Sequence, residues 1–296
     1  MRPIYEKMNP GEIKRRADIL KRRMKKCNLC PRKCGVNRLN NEIGACKTGY
    51  GVFVSSYGPH FGEESFLVGK GGSGTIFFSG CNMACVYCQN WQISQSVKEK
   101  KISVEKLANI MIELQKMNCH NVNLVSPTHQ IAFIVEAVSI AVEKGLKIPI
   151  VYNCSGYESL YTLELLEGLI DIYMPDFKYG EDSIALKYSG IKNYVAHTFS
   201  ALKEMHRQVG ALKIENNLAV RGVFVRHLVL PERLTAPEKI FQLISSISRD
   251  IPVNVMSQYY PAYKAHHYPE LSRKIHVEEY NEVFQMAKDF GLKIIA

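Results

Sequence analysis

An α/β fold is predicted by the 296-residue sequence: a partial (β/α)6 TIM-like barrel with a small cysteine-rich N-terminal extension. Three observations carry that prediction. From about residue 70, six short and mostly continuous apolar runs alternate with helical stretches, as parallel strands buried on both faces should. The positive charge is confined to residues 1–50, where 14 Lys and Arg stand against 4 Asp and Glu, while the other 246 residues carry 24 of each. Nine cysteines fall as Cys27, Cys30, Cys34 and Cys46, then Cys81, Cys85 and Cys88, with Cys119 and Cys154 alone.

Hydrophobic residues make up 46% and charged residues 22%, which excludes disordered, collagen-like and mucin-like chains. No stretch approaches the ~20 apolar residues of a membrane helix. The polar, basic beginning lacks the apolar core and cleavage site of a secretory signal, so a cytoplasmic address without membrane association is expected. Pro10–Lys26 reads as a basic amphipathic helix with Asn9 as N-cap and Pro10 at the first helical position. A turn-rich, cysteine-rich stretch follows to about Gly51, and residues 1–60 are expected to form a unit apart from a barrel over 61–296. The strand candidates are Thr75–Ser79, Asn121–Val125, Pro149–Asn153, Asp171–Pro175, Val223–Leu230 and Pro252–Met256. Helical stretches lie around 103–117, 129–144, 156–168, 194–209 and 236–248, with a last one at 276–290. Six βα units in sequence favour a closed or half-closed barrel. No Gly-x-Gly-x-x-Gly follows the first strand, so a dinucleotide-binding open sheet has little support.

The odd cysteine count in a reducing compartment argues against a disulfide framework and for metal. Cys81-Asn-Met-Ala-Cys85-Val-Tyr-Cys88 follows the first strand directly. Three thiolates at these spacings can wrap one face of an iron–sulfur cube and leave its fourth iron open, whereas clusters that only carry electrons normally have four cysteines. The spacing also differs from the paired knuckles of structural zinc sites. Strand ends are where barrel enzymes place chemistry.

Cys-x3-Cys-x2-Cys after the first strand, with Tyr87 before the third cysteine, resembles the radical S-adenosylmethionine (SAM) enzymes. The run Gly80–Asn90 is similar to the glycyl-radical activating branch, the relatives of pyruvate formate-lyase activating enzyme. So are Asp171–Lys178, Val225–Pro231 and Met256–Tyr263. Residues 27–38 resemble an activating-enzyme-like subgroup. The resemblance implies a [4Fe-4S] cluster on Cys81, Cys85 and Cys88, with SAM chelating the open iron. It further implies reductive cleavage to a 5′-deoxyadenosyl radical, hydrogen abstraction from a protein substrate, and an electron donor such as ferredoxin or flavodoxin. Tyr87 is then expected near the adenine, and Asp176 and Lys178 near the ribose and carboxylate. Arg226, inside a buried strand, needs an anionic partner, which is either the SAM carboxylate or a structural salt bridge. Asn153 at the end of the third strand is a candidate to face the ribose. Related enzymes end their second strand on a Gly-Gly-Glu-like motif for the amino group of SAM. Here that stretch reads Val125-Ser-Pro-Thr-His129, with Ser126, Thr128 or backbone carbonyls as the replacements.

Cys27-x2-Cys30-x3-Cys34-x11-Cys46 can close a second site, with zinc as a structural clip or a second iron–sulfur cluster as a relay. The nine histidines form no metal-spaced pair. The basic N-terminus is either a solvated face or a docking patch for an acidic protein, a phosphorylated ligand or a nucleic acid. Two rivals to the activating-enzyme reading remain: a radical enzyme acting on a nucleic acid or small molecule, and a non-catalytic iron–sulfur electron carrier.

Overall fold

The computed structural model describes residues 2–295. Asn9 caps α1 (Pro10–Arg22), its side chain accepting from the Gly11 N–H at 2.8 Å, with Pro10 at the first helical position. A 3-10 turn carries the chain through Lys26. Then come β1 (Val54–His60), α2 (Ser65–Val68), β2 (Ser73–Phe78), α3 (Trp91–Ser94), α4 (Val104–Lys116), β3 (Val122–Val125) and α5 (Ile131–Glu143). β4 (Ile150–Cys154), α6 (Leu160–Glu164), β5 (Ile172–Pro175), α7 (Asp182–Ser189) and α8 (Tyr194–Val209) follow. The chain ends with β6 (Lys213–Glu215), β7 (Leu218–Val223), β8 (Val225–Leu228), α9 (Pro237–Ile247), β9 (Val253–Met256), α10 (Val277–Asp289) and β10 (Ile294–Ile295).

Strands β2, β3, β4 and β5 pair in parallel in that order, and β5 pairs with β7. The chain runs from β7 through Phe224 into β8, which pairs in parallel with β9. A bridge between Asp176 and Arg226 joins the two sheets. Taking β7–β8 as one strand, six parallel strands form the expected partial barrel. The antiparallel β1 extends one edge and β10 the other, so these edges flank the opening.

Alternation along the strands separates two cores. Ile76, Leu124, Ile150, Tyr152 and Tyr173 join the large outer core under the helices. Val151, Ile172, Met174 and Phe224 form a small inner one, against which α2 packs Phe66 and Leu67.

The N-terminal segment is not the separate unit expected. Ile13, Ala17 and Leu20 of α1, with Tyr5 and Met24, are fully buried in the same outer core. The expected boundary at residue 60 also falls on the last residue of β1, which belongs to the barrel sheet. The physical reason is area: one short helix has too little apolar surface to bury alone. Part of its charge is spent within the chain, since Arg15 and Arg16 pair with Glu12, and Lys21 with Glu136. The helix expected over 156–168 shortens to α6. Glycines at both ends of that stretch, Gly156 (φ +75°) and Gly168 (φ +81°), sit in left-handed backbone.

Candidate functional site

The register of the strands assembles the site. Phe77 pairs with Val125, Val125 with Asn153, and Leu228 with Met256. Register partners share a face, and all five side chains line one cavity of about 400 Å³. Cys81, Cys85, Tyr87, Cys88, Ser126, Asn153, Asp176, Lys178 and Arg226 line the same cavity. Of the barrel residues singled out from the sequence as cluster or SAM contacts, all but Thr128 therefore reach one space.

Each sulfur of the three-cysteine loop has its own hydrogen-bond partner. The Met83 N–H reaches Cys81 Sγ at 3.4 Å, the Ser189 hydroxyl reaches Cys85 Sγ at 3.0 Å, and Ser94 Oγ lies 3.1 Å from Cys88 Sγ. Donors aimed at sulfur are what metal-bound thiolates require. The Ser189 hydroxyl ends a chain: Tyr87 OH donates to Tyr179 OH at 2.6 Å, and Tyr179 OH lies 2.6 Å from Ser189 Oγ. Burial pushes the Cys81 thiol up to about 12 and raises Cys85 as well, so iron must displace protons to bind. Among the described residues, no group of three or more His, Cys, Asp or Glu could hold a single metal ion. A cube asks less convergence, because each thiolate meets a different iron. The residues fit such a cluster by their type, number and donors.

Lys178 Nζ donates to Asp176 Oδ2 at 2.6 Å, and the pair is largely buried at the cavity wall. Burial disfavours the ammonium, but Asp176 and Cys85 outweigh it and hold Lys178 above its ordinary pKa. Lys178 also acts on Cys81 and Cys85 as a favourable charge. It is a cation beside thiols, not a solvated surface pair.

Arg226 finds its anions within the chain. Its Nε donates to Glu64 Oε1 at 2.8 Å and its Nη2 to Glu64 Oε2 at 2.6 Å, while Glu63 takes a further bond. Glu64 Oε1 also accepts from Asn254, the register partner of Arg226 on β9. The structural salt bridge is therefore the reading realised, and the guanidinium is already engaged by two carboxylates. Residues 61–64, following β1, thus reach across the cavity to β8 and β9.

At the end of β3 the chain turns at Ser126 (φ +58°), whose N–H donates to the Asn153 carbonyl at 2.9 Å. Thr128 leaves the cavity, its hydroxyl donating to buried Glu158 at 2.6 Å. His129 bonds the Ser79 carbonyl at 2.8 Å. Cys154 borders the cavity too, with burial first and Glu158 second raising its thiol. Cys119 is buried core.

Sequence reasoning missed Glu63 and Glu64, although two adjacent acids, alone in a stretch with no other charged side chain between Lys47 and Lys70, are a signal. It also missed Ser94, Tyr179 and Ser189, for which local sequence carries none. It missed the β6–β7 hairpin too, which turns at Asn216-Asn217, both with positive φ as a tight turn demands. The four N-terminal cysteines lie outside this cavity. Cys34 instead lines a second pocket with Arg32, Tyr157, Lys192 and His197.

The radical SAM superfamily profile matches residues 75–244. Uncharacterized protein MJ0674 of Methanocaldococcus jannaschii is 35% identical over 98% of this chain and 82% of its own length. Uncharacterized protein MJ0808 of the same organism is 23% identical over 93% and 81%. Among solved structures, a radical SAM methyltransferase from Sphaerobacter thermophilus superposes with a TM-score of 0.54 at 12% identity, over 75% of this chain and 65% of that one. Streptococcus suis SuiB bound to S-adenosylmethionine gives 0.51 at 12% identity, over 72% of this chain and 47% of that one. The chain thus spans about half the length of SuiB, and at such identity both structures speak to the fold alone. With its profile covering over half of the chain, and the barrel and three-cysteine loop in place, this chain belongs to the radical SAM superfamily, whose domain implies a [4Fe-4S] cluster and SAM.

Proposed function

We propose that this chain is an activating-enzyme-like radical SAM oxidoreductase that takes a hydrogen atom from a polypeptide partner. The carrying observation is the cavity whose one wall presents Cys81, Cys85 and Cys88, each with its own hydrogen-bond partner. Held by Cys81, Cys85 and Cys88, a reduced [4Fe-4S] cluster would supply, together with SAM, the one-electron chemistry for hydrogen-atom abstraction. The chain's own residues do the rest. Met83, Ser94 and Ser189 hold the sulfurs in place. Lys178, kept charged by Asp176, offers a cation for a carboxylate, and Ser126 and Asn153 offer polar groups for the methionine and ribose ends of SAM. Tyr87, tied to Tyr179, bounds the side expected to meet the adenine.

A polypeptide substrate is supported by the rim. Gln89, Asn90 and Gln258 border the cavity, and Trp91 stacks on Tyr263 at 5.4 Å while remaining 39% exposed. Exposed aromatic pairs at an opening suit a macromolecular ligand. A reduced ferredoxin or flavodoxin is the electron donor in this reading.

Anaerobically reconstituted protein supplied with SAM and dithionite should release 5′-deoxyadenosine, and Cys85→Ala should lower that release by at least a hundredfold. Proteins captured under anaerobiosis should then show a glycine-centred radical by electron spin resonance. No 5′-deoxyadenosine from iron-loaded protein sinks the enzyme reading. Release without any radical-bearing protein, together with salt-sensitive RNA binding, shifts the substrate to nucleic acid.

A further inference from the structure

Arg38 is 1% exposed, yet its guanidinium meets only neutral groups. Nε and Nη2 donate to the Gly49 carbonyl at 3.1 and 3.0 Å, Nη1 to the His129 carbonyl at 2.6 Å, and Nη2 to Thr48 Oγ1 at 3.1 Å. Among the described residues, no carboxylate pairs with it. A charge buried in this way costs several kcal/mol unless something neutralises it. The groups beside it that can become anionic are thiols. Thr48 Oγ1 lies 3.1 Å from Cys46 Sγ, and Arg38 acts directly on the Cys27 thiol.

Those two cysteines belong to a folded knuckle. The Cys27 N–H donates to the Val36 carbonyl at 2.9 Å, the Gly35 N–H to the Cys27 carbonyl at 3.0 Å, and the Lys33 N–H to the Cys30 carbonyl at 3.1 Å. Cys34 and Cys46 flank Gly44, where a Cβ would stand 3.3 and 3.5 Å from their sulfurs, so only glycine keeps that space open.

We infer that Cys27, Cys30, Cys34 and Cys46 hold one iron–sulfur cube as four thiolates, with Arg38 as its buried counter-ion. Each thiolate then meets a different iron, so the four need not converge on a single ion; four thiolates on a cube of core charge +2 leave two negative charges, and Arg38 offsets one of them. The centre stands directly behind the three-cysteine loop. Gly80 (φ +84°) abuts it so closely that a Cβ there would lie 2.4 Å from the Cys46 carbonyl oxygen. This inference rests on residues that the proposed reaction does not use, so either can fail alone.

The test counts metal in the full-length chain carrying Cys81→Ser, Cys85→Ser and Cys88→Ser, which leaves only the N-terminal centre. The protein is loaded with zinc alone in one arm and with iron and sulfide in the other, and retention is followed against a chelator. Stoichiometric retention in the iron–sulfide arm is expected; retention of zinc alone, or no retention in either arm, overturns the cluster. Cys34→Ser, at an exposed position, should lose the metal with the fold intact by circular dichroism; unchanged retention overturns the four-thiolate set. Arg38→Gln should weaken retention roughly 10–100-fold, the usual cost of losing a partner outside the ligand shell. Because Arg38→Gln also loses bonds to two carbonyls, Arg38→Lys supplies the control: it should retain metal better than Arg38→Gln at equal fold content. Equal retention in the two variants overturns the counter-ion role.

Discussion

Arg38 is buried and Arg226 is largely so, and their charges are met in opposite ways. Arg226 lies between β8 and the segment after β1, clasped by Glu63 and Glu64, with Asn254 completing the network. Arg38 lies under the cysteine knuckle with carbonyls and one hydroxyl for company. Both obey one rule, that a buried charge needs an opposite one. The first finds it in the chain's own carboxylates and so ties the two sides of the barrel together at all times. The second leaves it to thiols, which carry charge only when something draws off their protons. One region is complete as folded; the other is built around what it binds.

The comparison can be broken most directly at Arg226. Arg226→Met leaves two buried carboxylates without a cation and should cost about 3–5 kcal/mol in urea unfolding, whether or not metal is loaded. A loss that appears only in metal-loaded protein would erase the contrast with Arg38. Leu20→Ala tests whether the N-terminal region is part of the barrel core rather than a separate module. Leu20 is fully buried, so about 2–5 kcal/mol should be lost from the single main unfolding transition. A separate early transition, with the main one unmoved, would restore an independent extension.

Titration probes another buried charge. Burial raises the Glu158 carboxyl to about 7, against hydrogen bonds from Thr128 and Tyr152 that work the other way. A raised carboxyl binds its proton more tightly when folded, so its stabilisation is complete below about 4.5 and is lost as pH rises to about 7. Asp171, raised to about 7 by burial, adds a similar slope. Glu158→Gln should flatten part of that decline in unfolding free energy, and Asp171→Asn much of the remainder. An unchanged slope in the double variant would assign the decline to other groups. The smallest expected effect is at Lys178. Lys178→Ala should weaken SAM binding about tenfold, or about 1.4 kcal/mol, by calorimetry on cluster-loaded protein. Unaltered affinity would make the Asp176 pair purely structural.

Much of this was legible in the sequence. The six parallel strands lie within a few residues of their predicted positions, because strands buried on both faces write themselves as unbroken apolar runs. Asn9 and Pro10 announced α1 through local chemistry alone. The cavity residues Asn153, Asp176, Lys178 and Arg226 were singled out because strand ends converge in any such barrel, and Tyr87 and Ser126 because of their places relative to the family's motifs. What stayed hidden was of two kinds. β1, β10 and the β6–β7 hairpin are short or partly exposed, so they lack a continuous apolar run. Ser189 at the end of α7 and Tyr179 after β5 act on Cys85 and Tyr87 from about a hundred residues away along the chain, and no local pattern encodes such contacts.

The sequence by itself determined the strand–helix alternation and the three-thiol loop, since periodicity and ligand spacing are local properties of a chain. Tertiary structure alone decided which charges would meet. Nothing in the order of residues says that Arg226 would close on Glu63 and Glu64 across an opening, or that Arg38 would be buried among carbonyls beside Cys27 and Cys46. A charge's partner is set by distance and burial in space, and both exist only once the chain has folded.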